Sequence, residues 1–279
     1  MTHPPVLFAS CASVAGFVSL LRYFKRNNHT AAHASVSKTE AKDHLADILA
    51  LGQRFVATAY RVDNPVDGKN VKIIHFVRHG EGYHNKAATE AGYGCTCMRP
   101  DDSRPCPYTD PVLLDPGLTP LGVQQAAANS SVAPSLGVEL VVVSPMNRAI
   151  QTAVESFASV PDVPFLAHED AREQSGEHIC DKRQTRHKHQ EMYPHIDFSL
   201  LESEEDELWT TERESRKSVA DRCDNVLKYL STRPEKNLAL VTHSSYLLTL
   251  FNAALDCKYA PELKEWFQTG ELRSVKIQF

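Results

Sequence analysis

The sequence carries no P-loop, no GxGxxG turn and no HExxH helix, so nucleotide-dependent and zinc-protease readings lose their usual support. Glycine and proline are sparse, 12 and 16 among 279 residues, which excludes a collagen-like or low-complexity chain. Neither sign of charge dominates. A formal net charge of −5 argues against a protein that coats nucleic acid through its global field, yet leaves room for a local basic pocket around a small anion. The cysteines are odd in number, at Cys11, Cys95, Cys97, Cys106, Cys180, Cys223 and Cys257, and imply no disulfide framework in a chain this long. Cys95, Cys97 and Cys106 cluster, but a zinc site normally has a fourth ligand and CxxC-like spacing, so the cluster reads as a thiol-containing surface insertion.

What is present is ordinary for a globular chain, with 42% hydrophobic and 23% charged residues. That suffices to bury a core without disulfides or metals, as one large domain or two small ones. Thirteen histidines are the one excess, and their placement becomes the question.

The amino-terminal segment from Thr2 to Leu21 has no Asp, Glu, Lys or Arg, and Arg22, Lys25 and Arg26 follow it. Its length is near that needed to cross a bilayer, and many of its residues are small. A secretory signal usually carries its basic residues before the apolar run, not after it. The positive-inside rule would place the following chain in the cytosol. The expectation for residues 1–26 is a membrane or mitochondrial anchor facing the cytosol; a cleaved targeting segment, a buried helix and a cytoplasmic protein are the alternatives. Residues 27–37 read as a linker and residues 38–61 as an amphipathic helix, with Leu45, Ile48 and Leu49 on one face and Phe55 near it.

From residue 71 the pattern changes. Short apolar runs at 71–77, 139–143 and 237–241 read as buried strands, and 274–279 as a last one. Helices are expected from Thr119-Pro120 onward, where Thr caps and Pro occupies the first turn, and at 149–158, 218–230 and 245–255. Strands alternating with helices predict an α/β fold, a three-layer αβα sandwich around a mostly parallel sheet, over residues 71–279. In such sheets ligands bind beyond the carboxyl ends of the strands. Three strands end in polar loops: Arg78-His79-Gly80, a loop closing on Arg148, and Thr242-His243-Ser244.

That recurrence carries chemistry. A neutral imidazole is a good nucleophile near pH 7, and His79 directly follows a strand. Gly80 would let the backbone approach a ligand. Arg78 and Arg148 can each grip two phosphate oxygens, and His243 adds a further donor. Together they suit a transferring phosphoryl group.

The segments VRHGEGYHN (77–85), LTPLG (118–122), VVSPMNRAIQT (142–152) and VTHS (241–244) resemble the histidine phosphatase superfamily, in its phosphoglycerate mutase-like branch. The stretch REQSGEHICDKR (172–183) and the acidic segment around Trp209 look like the eukaryotic mutase-like proteins. The resemblance spans residues 71–279. It implies that His79 becomes phosphorylated, that Arg78, Arg148 and His243 hold the phosphoryl oxygens, and that Asn85 contacts the phosphate region. A carboxylate would protonate the leaving oxygen and later activate water; Glu173 is the first candidate, with Glu169, Asp170 and Glu177 as rivals. The acid phosphatase branch places an Asp directly after the second His, where this chain has Ser244. The family motif often has Ser or Thr where Gly82 stands, which keeps the backbone N–H but removes the hydroxyl. In the basic run from Lys182 to His189, Arg183 is the candidate for a rim that steers anionic substrate, while Tyr83 and His84 are candidates to line the pocket. The expected activity is hydrolysis of phosphomonoesters through phosphohistidine. A phosphomutase and an inactive phosphate-recognising scaffold are the alternatives. No cofactor or metal is expected, the partners are small phosphorylated substrates or a phosphoprotein, and membrane association would run through residues 2–21.

Overall fold

The computed structural model describes residues 38–52, 54–92 and 105–279. The amino-terminal segment, the linker, Cys95 and Cys97 lie outside the described residues.

The strands are β1 (Ala57–Arg61), β2 (Val71–Arg78), β3 (Leu140–Val143), β4 (Phe165–Ala167), β5 (Ile196–Asp197), β6 (Asn237–Thr242), β7 (Leu255–Asp256) and β8 (Leu272–Gln278). They form one sheet in the order β5-β4-β3-β6-β2-β8-β1-β7. From β5 to β2 every neighbour is parallel; β8 runs antiparallel to both β2 and β1, and β7 is parallel to β1. The principal helices are α1 (Lys38–Ala50), α2 (Tyr83–Glu90), α3 (Pro120–Ala127), α4 (Asn147–Ser156), α5 (Arg186–Met192), α6 (Arg216–Thr232) and α7 (Ser244–Thr249), the last continuing as a π-turn over Leu250–Ala254.

Alternation along the strands divides the core in two. Ile74, Phe76, Leu140, Val142, Leu238 and Leu240 pack against α6 and α7, through Val219, Cys223, Leu227 and Leu247. Val77, Val141, Val143, Ala239 and Val241 face the opposite way, against Ala149, Ile150 and Ala153 of α4. A sheet buried on both faces is the expected three-layer αβα sandwich, and it explains why its central strands read as unbroken apolar runs.

The expected helix over 38–61 is corrected. α1 ends at Ala50, and Gly52 takes a left-handed φ of +75° just beyond it. Residues 57–61 are a strand instead, alternating buried and more exposed positions between β8 and β7. This period of two is too short a signal to stand out beside the apolar helix face that precedes it.

Registry positions the site. β3, β6 and β2 lie side by side and parallel, with Val143 opposite Val241 and Arg78 opposite Thr242. The His79 amide donates to the Thr242 carbonyl at 2.9 Å and the Ser144 amide to the Val241 carbonyl at 3.0 Å. The residues that follow each strand therefore emerge together on one edge of the sheet.

Candidate active site

His79 is buried, and its Nδ1 lies 2.6 Å from the Gly80 carbonyl oxygen. A carbonyl only accepts, so Nδ1 carries the proton and Nε2 keeps the lone pair. Burial pushes the His79 pKa well below its usual range, and the nearby His243, Arg148, His84 and Arg78 push it the same way. The imidazole is thus a neutral base held in one tautomer.

Gly80 is glycine for a reason other than ligand approach. A Cβ there would meet the Gly122 carbonyl oxygen at 2.3 Å, because the loop after β2 runs against the first turn of α3. Its amide donates to Thr152 Oγ1 at 3.0 Å, and that hydroxyl donates to the Arg148 carbonyl at 2.7 Å. The loops bearing His79 and Arg148 are therefore tied to each other. Thr119 caps α3 as expected, accepting from the Gly122 amide at 3.1 Å.

His79 and His243 stand 5.1 Å apart by ring centroid. His243 is buried and neutral, its pKa lowered chiefly by burial and then by Arg148, and its Nε2 pairs with Ser144 Oγ at 2.8 Å. Arg148, 1% exposed, donates to the Cys180 carbonyl at 2.7 Å and to Asp181 Oδ1 at 2.8 Å. Asp181 also takes Arg213 Nη1 at 2.9 Å on its other oxygen. Against the burial that opposes it, contact with His178 and with the two guanidiniums holds the Asp181 carboxyl well below the usual range. Arg78 is buried and donates to the Phe267 carbonyl at 2.7 Å. With both imidazoles neutral, the positive charge of the pocket comes from the arginines.

Glu173 lies against the start of α7, directly after His243. Its Oε1 accepts from the amides of Tyr246 at 3.0 Å and Gln174 at 2.9 Å, and its Oε2 from the Ser245 amide at 3.1 Å. Arg222 holds the main chain behind it, donating to the carbonyls of Asp170, Arg172 and Glu173 while paired with Glu214. Burial, and then the Asp181 charge, raise the Glu173 pKa above the ordinary carboxylate range; the amides oppose that rise. The rivals are placed otherwise. Glu169 is taken up by Arg172 and Arg183, Asp170 accepts from Asn225, and Glu177 is exposed at a φ of +58°.

One expected substrate contact needs correction. Arg183 does not form a rim: its donors are spent on Glu169, on Ser203 Oγ and on the carbonyls of Gln184, Ser203, Glu204 and Glu205. It pins the 203–205 loop. Asn85 sits in the first turn of α2, where its Oδ1 accepts the Gly82 amide at 3.0 Å, so that N–H is already engaged. Gly82 leaves room for the His84 ring, which a Cβ would meet at 2.6 Å. His84 is buried 5.6 Å from His79 and 5.4 Å from Tyr108, whereas Tyr83 is exposed. The basic run disperses: His189 is buried against Asp115, Lys182 lies over Trp209, and His187 faces solvent.

Asp181, Arg213 and Ser144 were not singled out by sequence reasoning. Asp181 and Ser144 stand inside the quoted motifs beside residues that were chosen for their charge. Their importance comes from their partners, Arg148, Arg213 and His243, which are distant in sequence. Among the described residues no group of three or more His, Cys, Asp or Glu is arranged to hold a metal ion.

A mostly parallel αβα sheet with two neutral imidazoles and two buried arginines at three adjacent strand ends defines a class: anion pockets lined by histidine and arginine. The model of the histidine phosphatase superfamily (branch 1) matches residues 112–278, and the chain belongs to that superfamily. It is 36% identical over 241 residues to a phosphoglycerate mutase-like protein of Arabidopsis thaliana, covering 74% of this chain and 84% of the relative. It is 34% identical over 242 residues to phosphoglycerate mutase-like protein 1 of the same plant, covering 74% and 81%. Among solved structures, it is similar to the alpha-ribazole phosphatase of Shigella flexneri at 17% identity and a TM-score of 0.47, over 72% of this chain and 89% of that one.

Proposed function

We propose that the protein hydrolyses phosphomonoesters through a phosphohistidine on His79. The observation that carries this reading is the bond from His79 Nδ1 to the Gly80 carbonyl, which leaves the Nε2 lone pair for phosphorus. In the first step Nε2 bonds to phosphorus and the P–O ester bond breaks. The leaving oxygen takes a proton from the Glu173 carboxylic acid, whose pKa is raised by burial and by the Asp181 charge. In the second step the Glu173 carboxylate takes a proton from water, the water oxygen bonds to phosphorus and the P–N bond breaks. Inorganic phosphate leaves, and both residues return to their starting states. Arg78, Arg148 and His243 hold the phosphoryl oxygens. Arg148 Nε and His243 Nδ1 are buried without hydrogen-bond partners, a concentration of unmet polar atoms that suits an oxyanion.

The test is turnover of an aryl phosphate together with trapping of an acid-labile phosphoprotein. His79→Ala should abolish both, and turnover that survives would refute the mechanism. The printed names of the plant relatives favour a second reading, phosphomutase activity, in which the phosphoryl group returns to another hydroxyl of the substrate before water arrives. It is read in the same assay as isomerised ester without free phosphate. If phosphate binds but neither product forms over a substrate panel, the chain is a phosphate-recognising scaffold.

We further propose that residues 2–21 tether the protein to a membrane with the catalytic residues in the cytosol. The support is the uncharged stretch followed by Arg22, Lys25 and Arg26. A reporter fused to residues 1–30 should localise to membranes or mitochondria; a diffuse signal would refute the tether.

A further inference from the structure

Arg216 is unexplained by the mechanism and poorly placed for stability. It opens α6, one residue after the N-cap Ser215, where the helix amides already present partial positive charge. It is half-buried, and among the described residues no carboxylate pairs with it. Burial alone pulls its pKa down to about 10. Its partners are Ser245 Oγ, reached by Nη1, and His44 Nδ1, reached by Nη2.

Those partners lead to the candidate acid. Ser245 gives its amide to Glu173 Oε2 at 3.1 Å, and its carbonyl takes the Thr249 hydroxyl at 2.9 Å. The residue that receives Arg216 on its side chain is therefore the one that holds Glu173 by its main chain. On the other side, His44 lies one turn before Ile48 on α1. Ile48 is fully buried against Ala220 of α6, Leu248 of α7 and Ala253. α1 thus packs across the two helices whose first turns carry Arg216 and Ser245.

We propose that Arg216, braced by His44 of α1, is a positioning residue that holds Ser245 so that its amide fixes the Glu173 carboxylate toward the leaving oxygen. The proposal rests on Glu173 being the proton donor. It gives α1, which lies outside the matched residues 112–278, a part in catalysis.

A proton donor matters most when the leaving group is a strong base. An alkoxide must be protonated as it departs, whereas a nitrophenolate leaves as a stable anion. The test compares kcat/KM, which reports the step in which the leaving oxygen departs and not the shared hydrolysis of phosphohistidine, for glycerol 2-phosphate and p-nitrophenyl phosphate in the full-length protein and in Arg216→Met, Arg216→Lys, Ser245→Ala and Glu173→Gln. Arg216→Met should lower kcat/KM for the alkyl ester about tenfold more than for the aryl ester, in the same direction as Glu173→Gln. Arg216→Lys, which keeps a donor, should show only part of that contrast. Ser245→Ala, which removes the hydroxyl but leaves Arg216 intact, should reproduce it. A merely structural role would lower both esters alike, and that result, or no loss on either, overturns the proposal. If Glu173→Gln shows no contrast, the reading of Glu173 fails and this inference falls with it. If Glu173→Gln shows the contrast and Arg216→Met and Ser245→Ala do not, only the present inference fails.

Discussion

His79 Nδ1 and the Gly80 carbonyl oxygen, 2.6 Å apart, fix the tautomer of the proposed nucleophile within one dipeptide. An ordinary histidine is half protonated near pH 6.5, and its lone pair is then lost. Burial and the neighbouring cations lower the His79 pKa well below that value. The acidic limb of kcat/KM for p-nitrophenyl phosphate should therefore show no inflection at pH 6–7, and activity should persist to lower pH. A limb centred near 6.5 would show that the nucleophile is not held neutral.

Asp181 links two functions through one carboxylate. It neutralises Arg148 and Arg213, and its charge is one of the two main causes that raise the Glu173 pKa. Asp181→Asn removes that charge, so the Glu173 carboxyl should give up its proton at lower pH. The basic limb of the kcat profile, where the donor must remain protonated, should move to lower pH. Leaving the buried Arg148, and the half-buried Arg213, without their shared carboxylate should also cost about 3 kcal/mol of stability, read by chemical denaturation. A basic limb that stays in place would remove Asp181 from control of the acid.

Gly80 and Gly122 mark the contact where α3 meets the nucleophile loop. A methyl group at Gly80 would stand 2.3 Å from the Gly122 carbonyl oxygen, and one at Gly122 would stand 2.1 Å from the Glu81 carbonyl oxygen. Both neighbours are backbone and yield only if the loop or helix moves. Gly80→Ala and Gly122→Ala should each destabilise by about 1–3 kcal/mol and lower kcat, because the displaced loop carries His79. Unchanged melting temperatures for both would refute this contact.

These residues show what the sequence made legible and where it stopped. Three parallel strands buried on both faces read as apolar runs, and the polar loops that end them were visible as His79, Arg148 and His243. Short strands were invisible: Phe165–Ala167 and Ile196–Asp197 are stabilised by neighbours, not by their own pattern. The same limit governed charge. Arg183 drew attention as a cation in a basic run, but its guanidinium closes a loop. Asp181, two residues earlier, became visible as the anchor of Arg148 only when a partner 33 positions away was brought to 2.8 Å. Gly80 reads in the sequence as a place for a ligand to approach, and in the structure it is the Gly122 backbone that comes close.

His75 offers a measurement of stability that leaves catalysis aside. It lies in the middle of β2, its Nδ1 2.7 Å from Ser274 Oγ on β8, and burial lowers its pKa to about 4. The folded chain therefore holds it neutral while the unfolded chain protonates it near 6.5. Because the unfolded state binds the extra proton, stability is fully present above pH 6.5 and is lost as the pH falls toward 4. The loss is about 1.4 kcal/mol per pH unit for such a group, or about 3 kcal/mol across the window. His79, His84, His168 and His243, whose pKa values are also lowered, add to the slope, while His178, raised, opposes it. Denaturation midpoints should thus fall steeply from pH 7 to pH 5. His75→Gln keeps a polar partner for Ser274 but does not titrate, so it should flatten the slope by about one proton. An equal slope in the variant would mean that the folded chain protonates His75 as readily as the unfolded chain does, so that burial does not lower its pKa.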